Sequence, residues 1–226
     1  LKISVIIPVF REAEAVKPAL AHLFGLPFKW GPEVVVIDGC PEGSTTSAIA
    51  DERVMKIRSP KGRARQMNAG AAVATGDVLL FLHADTMLPE NAPALIEKGM
   101  REPGMAAGAF DLGIDSGRPV FRLIEKLASL RSRLTRIPYG DQAIFIKTGV
   151  FEELGGYADL PLMEDVDIMR RVRRKGMKIT ILPEKVRTSA RRWEKEGVFY
   201  CTLRNWTLVA LYFLGVPPGK MVKFYK

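Results

Sequence analysis

Apolar positions along the chain fall into two periods. Residues 3–9 (ISVIIPV) form a continuous β-branched run, residues 34–38 (VVVID) repeat it, and residues 78–82 (VLLFL) repeat it again. Short runs without polar alternation are the pattern of strands buried on both faces of a parallel sheet. Between them, residues 11–24, 44–51 and 63–74 read as helices. The last is Ala-rich, with apolar positions at Ala64, Met67, Ala71 and Ala74, and residues 54–57 (VMKI) read as a further strand. This alternation predicts a doubly wound α/β sheet over residues 1 to 100. Ligands of such sheets bind beyond the carboxyl ends of the strands. The informative residues are therefore Phe10 to Glu12, Asp38 with Gly39, and His83 to Asp85, each just after a strand.

The second half is more mixed. Residues 105–112 and 143–147 read as strands flanking a basic amphipathic helix at 119–134; a helix lies within 161–175 and a short strand at 178–182. No repeat, low-complexity linker or Pro/Gly-rich hinge separates the halves, which predicts one compact domain over 1–190 and a small extension over 191–226. Residues 198–216 are the most apolar long stretch. Arg204 and Asn205 interrupt it, and the remaining run of 208–216 is shorter than the about 20 residues a spanning helix needs. It reads either as a helix packed on the core or as an interfacial or oligomer-forming helix, whose aromatics and nearby Lys220, Lys223 and Lys226 suit a lipid headgroup layer.

Charge narrows the classes. The 226 residues carry 34 Lys+Arg against 25 Asp+Glu, a formal charge of +9, which favours phosphate-rich ligands or an anionic membrane surface. The basic residues form local groups rather than one arm, and no aromatic-interleaved basic strand or C2H2 pattern occurs, so nucleic acid is not an expected partner. A 47% hydrophobic content excludes a disordered chain. Cys40 and Cys201 are too few and too far apart for a disulfide scaffold or, with two His, a zinc finger. The sequence opens at Leu1 directly into the first apolar run with no signal-like segment, and a cytoplasmic setting, with peripheral contact at the inner membrane face as a variant, is the expectation.

Four segments could carry chemistry. In Leu82-His83-Ala84-Asp85-Thr86, a carboxylate at a strand end could hold a hard divalent cation that bridges to phosphates, or could simply cap a turn. His83, two residues earlier, points to the same face and could ligate the metal, bond a phosphate or be structural. Asp38 could accept hydrogen bonds from a nucleobase or ribose, or form an Asx-turn. No GxxxxGK[ST] or GxGxxG is present, which excludes a P-loop and argues against a dinucleotide-binding fingerprint. Lys61, Arg63 and Arg65 cluster at a helix start, where the dipole prefers anions; a docking diphosphate would relieve that conflict. Glu164 and Asp165 open another helix, as dipole partners or, for Asp165, as a general base.

Taken in order, PVFREAEA, Asp38, KGRARQMNAG, LHADT, Gly155-Gly156-Tyr157 and MEDVDIMRRVRRKG resemble the family-2 glycosyltransferases over nearly the whole chain. The resemblance implies the GT-A nucleotide-diphospho-sugar transferase fold, an α/β class with a doubly wound, mixed but mainly parallel sheet in one compact domain. Residues 1–100 would be the nucleotide-binding half, 101–190 the acceptor-binding half and 191–226 a C-terminal helical extension. The implied activity is inverting transfer of a sugar from a nucleoside-diphosphate-sugar donor to an unknown hydroxyl acceptor, assisted by Mg²⁺ or Mn²⁺. By the same resemblance Pro8, Phe10 and Glu12 border the nucleotide, Asp38 reads the base, and Lys61, Arg63 and Arg192 approach the diphosphate. Ala84 and Asp85 belong to the donor site, and Asp85 with His83 holds the metal. Asp165 is the catalytic base with Glu164 its neighbour, while Trp193, Gly140 and Asp141 fall on the acceptor side.

Three departures mark this sequence. His83 stands for the first carboxylate of DxD; Asp38-Gly39-Cys40-Pro41 stands for DDGS; Ser189 stands for the Gln of QxxRW. Processive members carry several spanning helices, none of which is evident. The HADT and SARRW segments and the short length resemble a compact subgroup associated with radical-SAM/selenodomain proteins and arsenosugar biosynthesis. Two competing classes are a nucleotidyltransferase acting on a sugar phosphate, disfavoured by the lack of Gly after the first strand, and a basic membrane-surface or nucleic-acid binding module.

Overall fold

The β-branched runs of the first half become strands Ile3–Val9 (β1), Glu33–Asp38 (β2), Val54–Arg58 (β3) and Val78–Phe81 (β4) in a computed structural model that describes residues 1–225. Lys226, one of the lysines expected at a headgroup layer, lies outside the described residues. Further along come Thr86–Met87 (β5), Met105–Asp111 (β6), Ile114–Asp115 (β7), Phe145–Lys147 (β8), Lys178–Lys185 (β9) and Arg187–Ser189 (β10). The helices are Ala13–Gly25 (α1), Arg63–Val73 (α2), Ala92–Arg101 (α3), Pro119–Thr135 (α4), Thr148–Glu153 (α5), Glu164–Arg174 (α6), Arg191–Glu196 (α7), Val198–Phe213 (α8) and Pro218–Met221 (α9).

Seven strands form one sheet in the order β3-β2-β1-β4-β8-β6-β9. β1 pairs in parallel with β2 and β4, and β2 with β3; β8 runs antiparallel to both β4 and β6, and β9 is parallel to β6. The sheet is therefore mixed and mainly parallel, and it crosses from the first half of the sequence into the second without a break.

Alternation explains the apolar runs. Val5, Ile7, Val34, Val36 and Leu80 enter one buried cluster with Val16, Leu20 and Leu23 of α1 and Ile96 and Met100 of α3. Their neighbours Ile6, Val35, Ile37, Leu79 and Phe81 enter a second with Ala64 and Met67 of α2, Val166, Met169 and Val172 of α6, and Leu208 of α8. Successive side chains point to opposite faces, so a strand covered on both sides has no polar phase. α2 lies so close to the sheet that a Cβ on Gly70 would meet Ile37 Cδ1 at 2.6 Å and Ile6 Cγ2 at 2.7 Å.

Several expectations are corrected. Residues 44–51 form no α-helix; a single 3-10 turn at Thr46–Ala48 is present. The Asp38 carboxylate captures the N–H groups of Thr45 and Thr46 and holds the segment as a loop. The strand expected at 178–182 runs on to Lys185. α3, α5 and a second, three-stranded sheet in the order β5-β10-β7 were not foreseen. Residues 198–216 hold one helix, α8, and among the described residues no helix is long and apolar enough to cross a membrane.

Candidate active site

Strand order reverses at β1, whose neighbours β2 and β4 leave a crevice beyond their carboxyl ends. A cavity of about 440 Å³ opens there. Of the donor-side residues named from the sequence, Pro8, Phe10, Glu12, Arg63, His83, Ala84, Asp85 and Arg192 line it; so do Gly140, Asp141, Trp193, Glu164 and Asp165. Asp38 and Lys61 do not.

Asp38 is fully buried. Its carboxylate accepts the N–H groups of Cys40 at 2.9 Å, Thr45 at 2.8 Å and Thr46 at 3.0 Å. It is turned inward and shapes the 40–46 loop, which is the Asx-turn alternative. Lys61 instead lies over the Phe10 ring, 4.0 Å from its centre, so it abuts the cavity through a lining residue. A buried residue not foreseen, Gln66, fastens α2 to the crevice: its Nε2 donates to the carbonyls of Val9 at 2.8 Å and Ile37 at 2.9 Å.

The conflict between basic residues and the α2 dipole is answered largely within the protein. Arg63 Nη1 lies 3.3 Å from Glu164 Oε1, and Arg65 pairs with Asp159 at 2.7 Å. The α2 amino end itself has no side-chain cap, so its first N–H groups remain available to an anion.

Across the cavity, Met163 takes φ +68° at the N-cap of α6, a left-handed conformation that is uncommon for a side chain of this kind. It directs the chain so that Glu164 and Asp165 open the helix at the cavity wall. Asp165 Oδ2 accepts the Gly140 N–H at 2.6 Å and Oδ1 the Val166 N–H at 2.7 Å. A Cβ on Gly140 would lie 3.1 Å from His83 Nε2 and 3.4 Å from Asp165 Oδ2, so the backbone here runs close to both groups. Burial raises the Glu164 carboxyl above its ordinary range, opposed by Arg63 and reinforced by Asp165. Glu164 Oε1 is buried and accepts no hydrogen bond. Burial also pushes Asp141 up to about 6, with Arg131 opposing and Asp165 adding to the rise. Asp141 thus holds a proton part of the time near neutrality and is a candidate hydrogen-bond donor as well as acceptor.

The small sheet joins two sequence-distant motifs. β10 pairs with β5 on one side and β7 on the other, which carries the SARRW segment to the LHADT segment. Arg191 Nη2 then lies 3.6 Å from both Asp85 Oδ2 and Glu12 Oε1. The sequence pointed to Arg192 for the diphosphate; in the structure Arg192 lines the cavity but stacks on Tyr225, 3.9 Å from the ring centre, and contacts Glu196. Arg191 is the cation facing the strand-end carboxylates, and nothing in the pair's sequence marks which arginine turns inward. Trp193 packs edge-to-face on Phe121 at 5.9 Å, and its Nε1 has no partner.

No group of three or more His, Cys, Asp or Glu side chains is placed to hold a metal ion among the described residues. Asp85 and His83, the two candidate ligands named from the sequence, both line the cavity. Burial and the charge of Arg63 push His83 down to about 3, so its imidazole is neutral with a lone pair free. The Asp85 carboxylate fits a hard cation whose shell is completed by phosphate oxygens and water, and the neutral His83 imidazole adds a nitrogen donor two residues before it in sequence.

Residues 4–157 match Glycosyl transferase family 2; the chain belongs to that family and has the GT-A fold. It is 24% identical over 221 residues to a probable glycosyltransferase, YdaM, of Bacillus subtilis (strain 168), covering 86% of this chain and 51% of YdaM. The chain thus spans about half the length of that relative. Among solved structures it resembles the mannosyltransferase PcManGT from Pyrobaculum calidifontis in complex with GDP-Man and Mn²⁺ (TM-score 0.68, 21% identity, 82% of this chain and 56% of that one). It also resembles residues 1–349 of S. aureus TarS in complex with UDP-GlcNAc (TM-score 0.65, 18% identity, 84% and 58%).

Proposed function

We propose that the chain transfers a sugar from a nucleoside-diphosphate donor to a hydroxyl acceptor with inversion at the anomeric carbon. The observation that carries this reading is the make-up of one cavity, which is lined both by Arg63, Arg191 and Arg192 and by a carboxylate, Asp165, at the start of α6. The nucleotide-sugars in the GDP-Man and UDP-GlcNAc complexes of the two similar folds support a donor of the same class.

Asp165 is oriented by the Gly140 and Val166 N–H groups and retains lone pairs toward the cavity. It takes the acceptor proton as the acceptor oxygen forms its bond to the anomeric carbon. The bond from that carbon to the diphosphate oxygen breaks on the opposite side, and its electron pair leaves with the diphosphate. The arginines stabilise the charge that develops there. A divalent cation, Mg²⁺ or Mn²⁺, held by Asp85 and His83, would supply further charge neutralisation at the leaving diphosphate. Asp141 and Glu164, each raised by burial, donate to or accept from sugar and acceptor hydroxyls. Trp193, which lines the same cavity, would pack against a sugar or acceptor.

The HADT and SARRW segments support placement in the compact radical-SAM/selenodomain-associated subgroup. The two free, buried cysteines support work in a reducing, cytoplasmic setting. The test is incubation with UDP-, GDP- and dTDP-sugars, with and without Mn²⁺, while released nucleotide is measured. The expected product is free nucleoside diphosphate from one donor. Release of pyrophosphate from a nucleoside triphosphate and a sugar phosphate, with no nucleoside diphosphate, would assign the cavity to nucleotidyl transfer instead.

A further inference from the structure

Helix α8 is inverted relative to an ordinary surface helix. Its charged residue, Arg204, is buried and ion-paired with Glu196 at 2.6 Å, while Asn205 and Leu208 border the active-site cavity. Its outward positions Phe199, Leu203, Trp206, Ala210 and Phe213 recur at steps of four and three, the spacing of one helix face. Phe199 is 85% exposed, Leu203 67% and Trp206 56%, and no charged side chain interrupts the row. A helix that hides its arginine and shows its aromatics to the outside is not patterned for water.

A second row lies on α4. Leu123, Leu127, Leu130 and Leu134, again at steps of four, three and four, are all exposed, Leu134 by 75%. Phe121, Ile124 and Ala128 of α4 share one cluster with Trp193 of α7 and with Val198, the first residue of α8. α4 therefore adjoins the amino end of α8.

Charge selects the occupant. Lys126 flanks the leucine row, Lys195 precedes α8, and Lys220 and Lys223 follow it; all four are exposed and none is in an ion pair among the described residues. The carboxylates of these segments are Glu125, Glu194 and Glu196, and Glu125 and Glu196 are neutralised by Arg122, Lys185, Arg192 and Arg204. A second copy docked symmetrically on this face would set lysines against lysines. A surface of anionic phospholipid headgroups opposes them with the complementary charge and takes the apolar rows into its outer acyl layer.

We infer that α8 and α4 form a membrane-docking surface that lays the protein on an anionic bilayer, with the outer aromatic row of α8 embedded in the interface. This inference stands independently of the sugar-transfer reading. It also gives α8 two roles, since its inner side walls the cavity.

The test is flotation of the 226-residue chain with vesicles of phosphatidylglycerol and, separately, of phosphatidylcholine. Flotation with phosphatidylglycerol, weakened by added salt, is expected, with little on phosphatidylcholine. The double variant Phe199→Ser/Trp206→Ser should lower the vesicle affinity at least about tenfold, and Lys126→Ala about fivefold. Trp206 emission should shift to the blue on phosphatidylglycerol, a shift absent from Trp206→Phe, which keeps an apolar ring and guards against a folding artefact. Failure to float on phosphatidylglycerol overturns the inference. So does a stable dimer in sedimentation that Phe199→Ser/Trp206→Ser converts to monomer, which would make the face a contact between copies.

Discussion

α2 and α6 are both eleven residues long, both start at the cavity, and start on opposite charges. α6 obeys the helix dipole at each end, with Glu164, Asp165 and Asp167 in its first turn and Arg171, Arg173 and Arg174 in its last. α2 opens on Arg63 and Arg65, has no acid in its first turn and no side-chain cap. The second helix is consistent by itself; the first is consistent only in company. Arg63 finds Glu164 at the start of α6, and Arg65 finds Asp159 just ahead of it. The difference teaches that local rules fail where two elements share a site, and that the failure of one is compensated by the excess of the other.

The sharpest way to break this comparison is Asp165→Asn. If the first turn of α6 carries the general base, turnover falls about 10³-fold while nucleoside-diphosphate affinity changes by less than about threefold, read by steady-state kinetics beside calorimetric titration. Turnover near wild type would reduce the acids of α6 to dipole partners alone.

Arg63→Gln probes the other helix and comes next in size. Nucleoside-diphosphate affinity should weaken by about tenfold, measured by the same titration. The variant also has a signature in pH. The Glu164 carboxyl is raised by burial and restrained by Arg63, so losing the arginine raises it further. A carboxyl raised in the folded state favours folding at low pH, and that contribution is lost as pH climbs through its folded value. Thermal unfolding of Arg63→Gln should therefore lose about 1 kcal/mol more, relative to wild type, at neutral pH than in mild acid. The smallest effect belongs to Arg65→Ala: its ion pair with Asp159 is exposed on both sides, and stability should move by less than about 0.5 kcal/mol.

The strands of the first half were legible because burial on both faces leaves one pattern only. The two-residue strands β5 and β7 were not, since no period can be read from two positions. The helix expected at 44–51 failed for a reason invisible in that segment: the acceptor that holds its N–H groups, Asp38, belongs to the preceding strand. In the site, LHADT and MEDVDI were legible as strand-end and helix-start carboxylates, and the cavity collects both. Which of Arg191 and Arg192 faces Asp85 depends on how β10 seats between β5 and β7, a tertiary matter. Gln66 gave no signal, because a glutamine in an Ala-rich helix has no period of its own. Of the two readings of Asp38, the Asx-turn is the one that meets the loop's need for an acceptor.

Gly70 sits two turns along α2 from Arg63, with Ile37 and Ile6 where a methyl group would go. Both isoleucines are fully buried, so a larger residue at that position makes either their side chains or the helix, as a lever, give way. The far arm of the lever carries the guanidinium that confronts Glu164. A search for variants with altered donor preference would find leverage at this remote hinge point without touching the cavity lining.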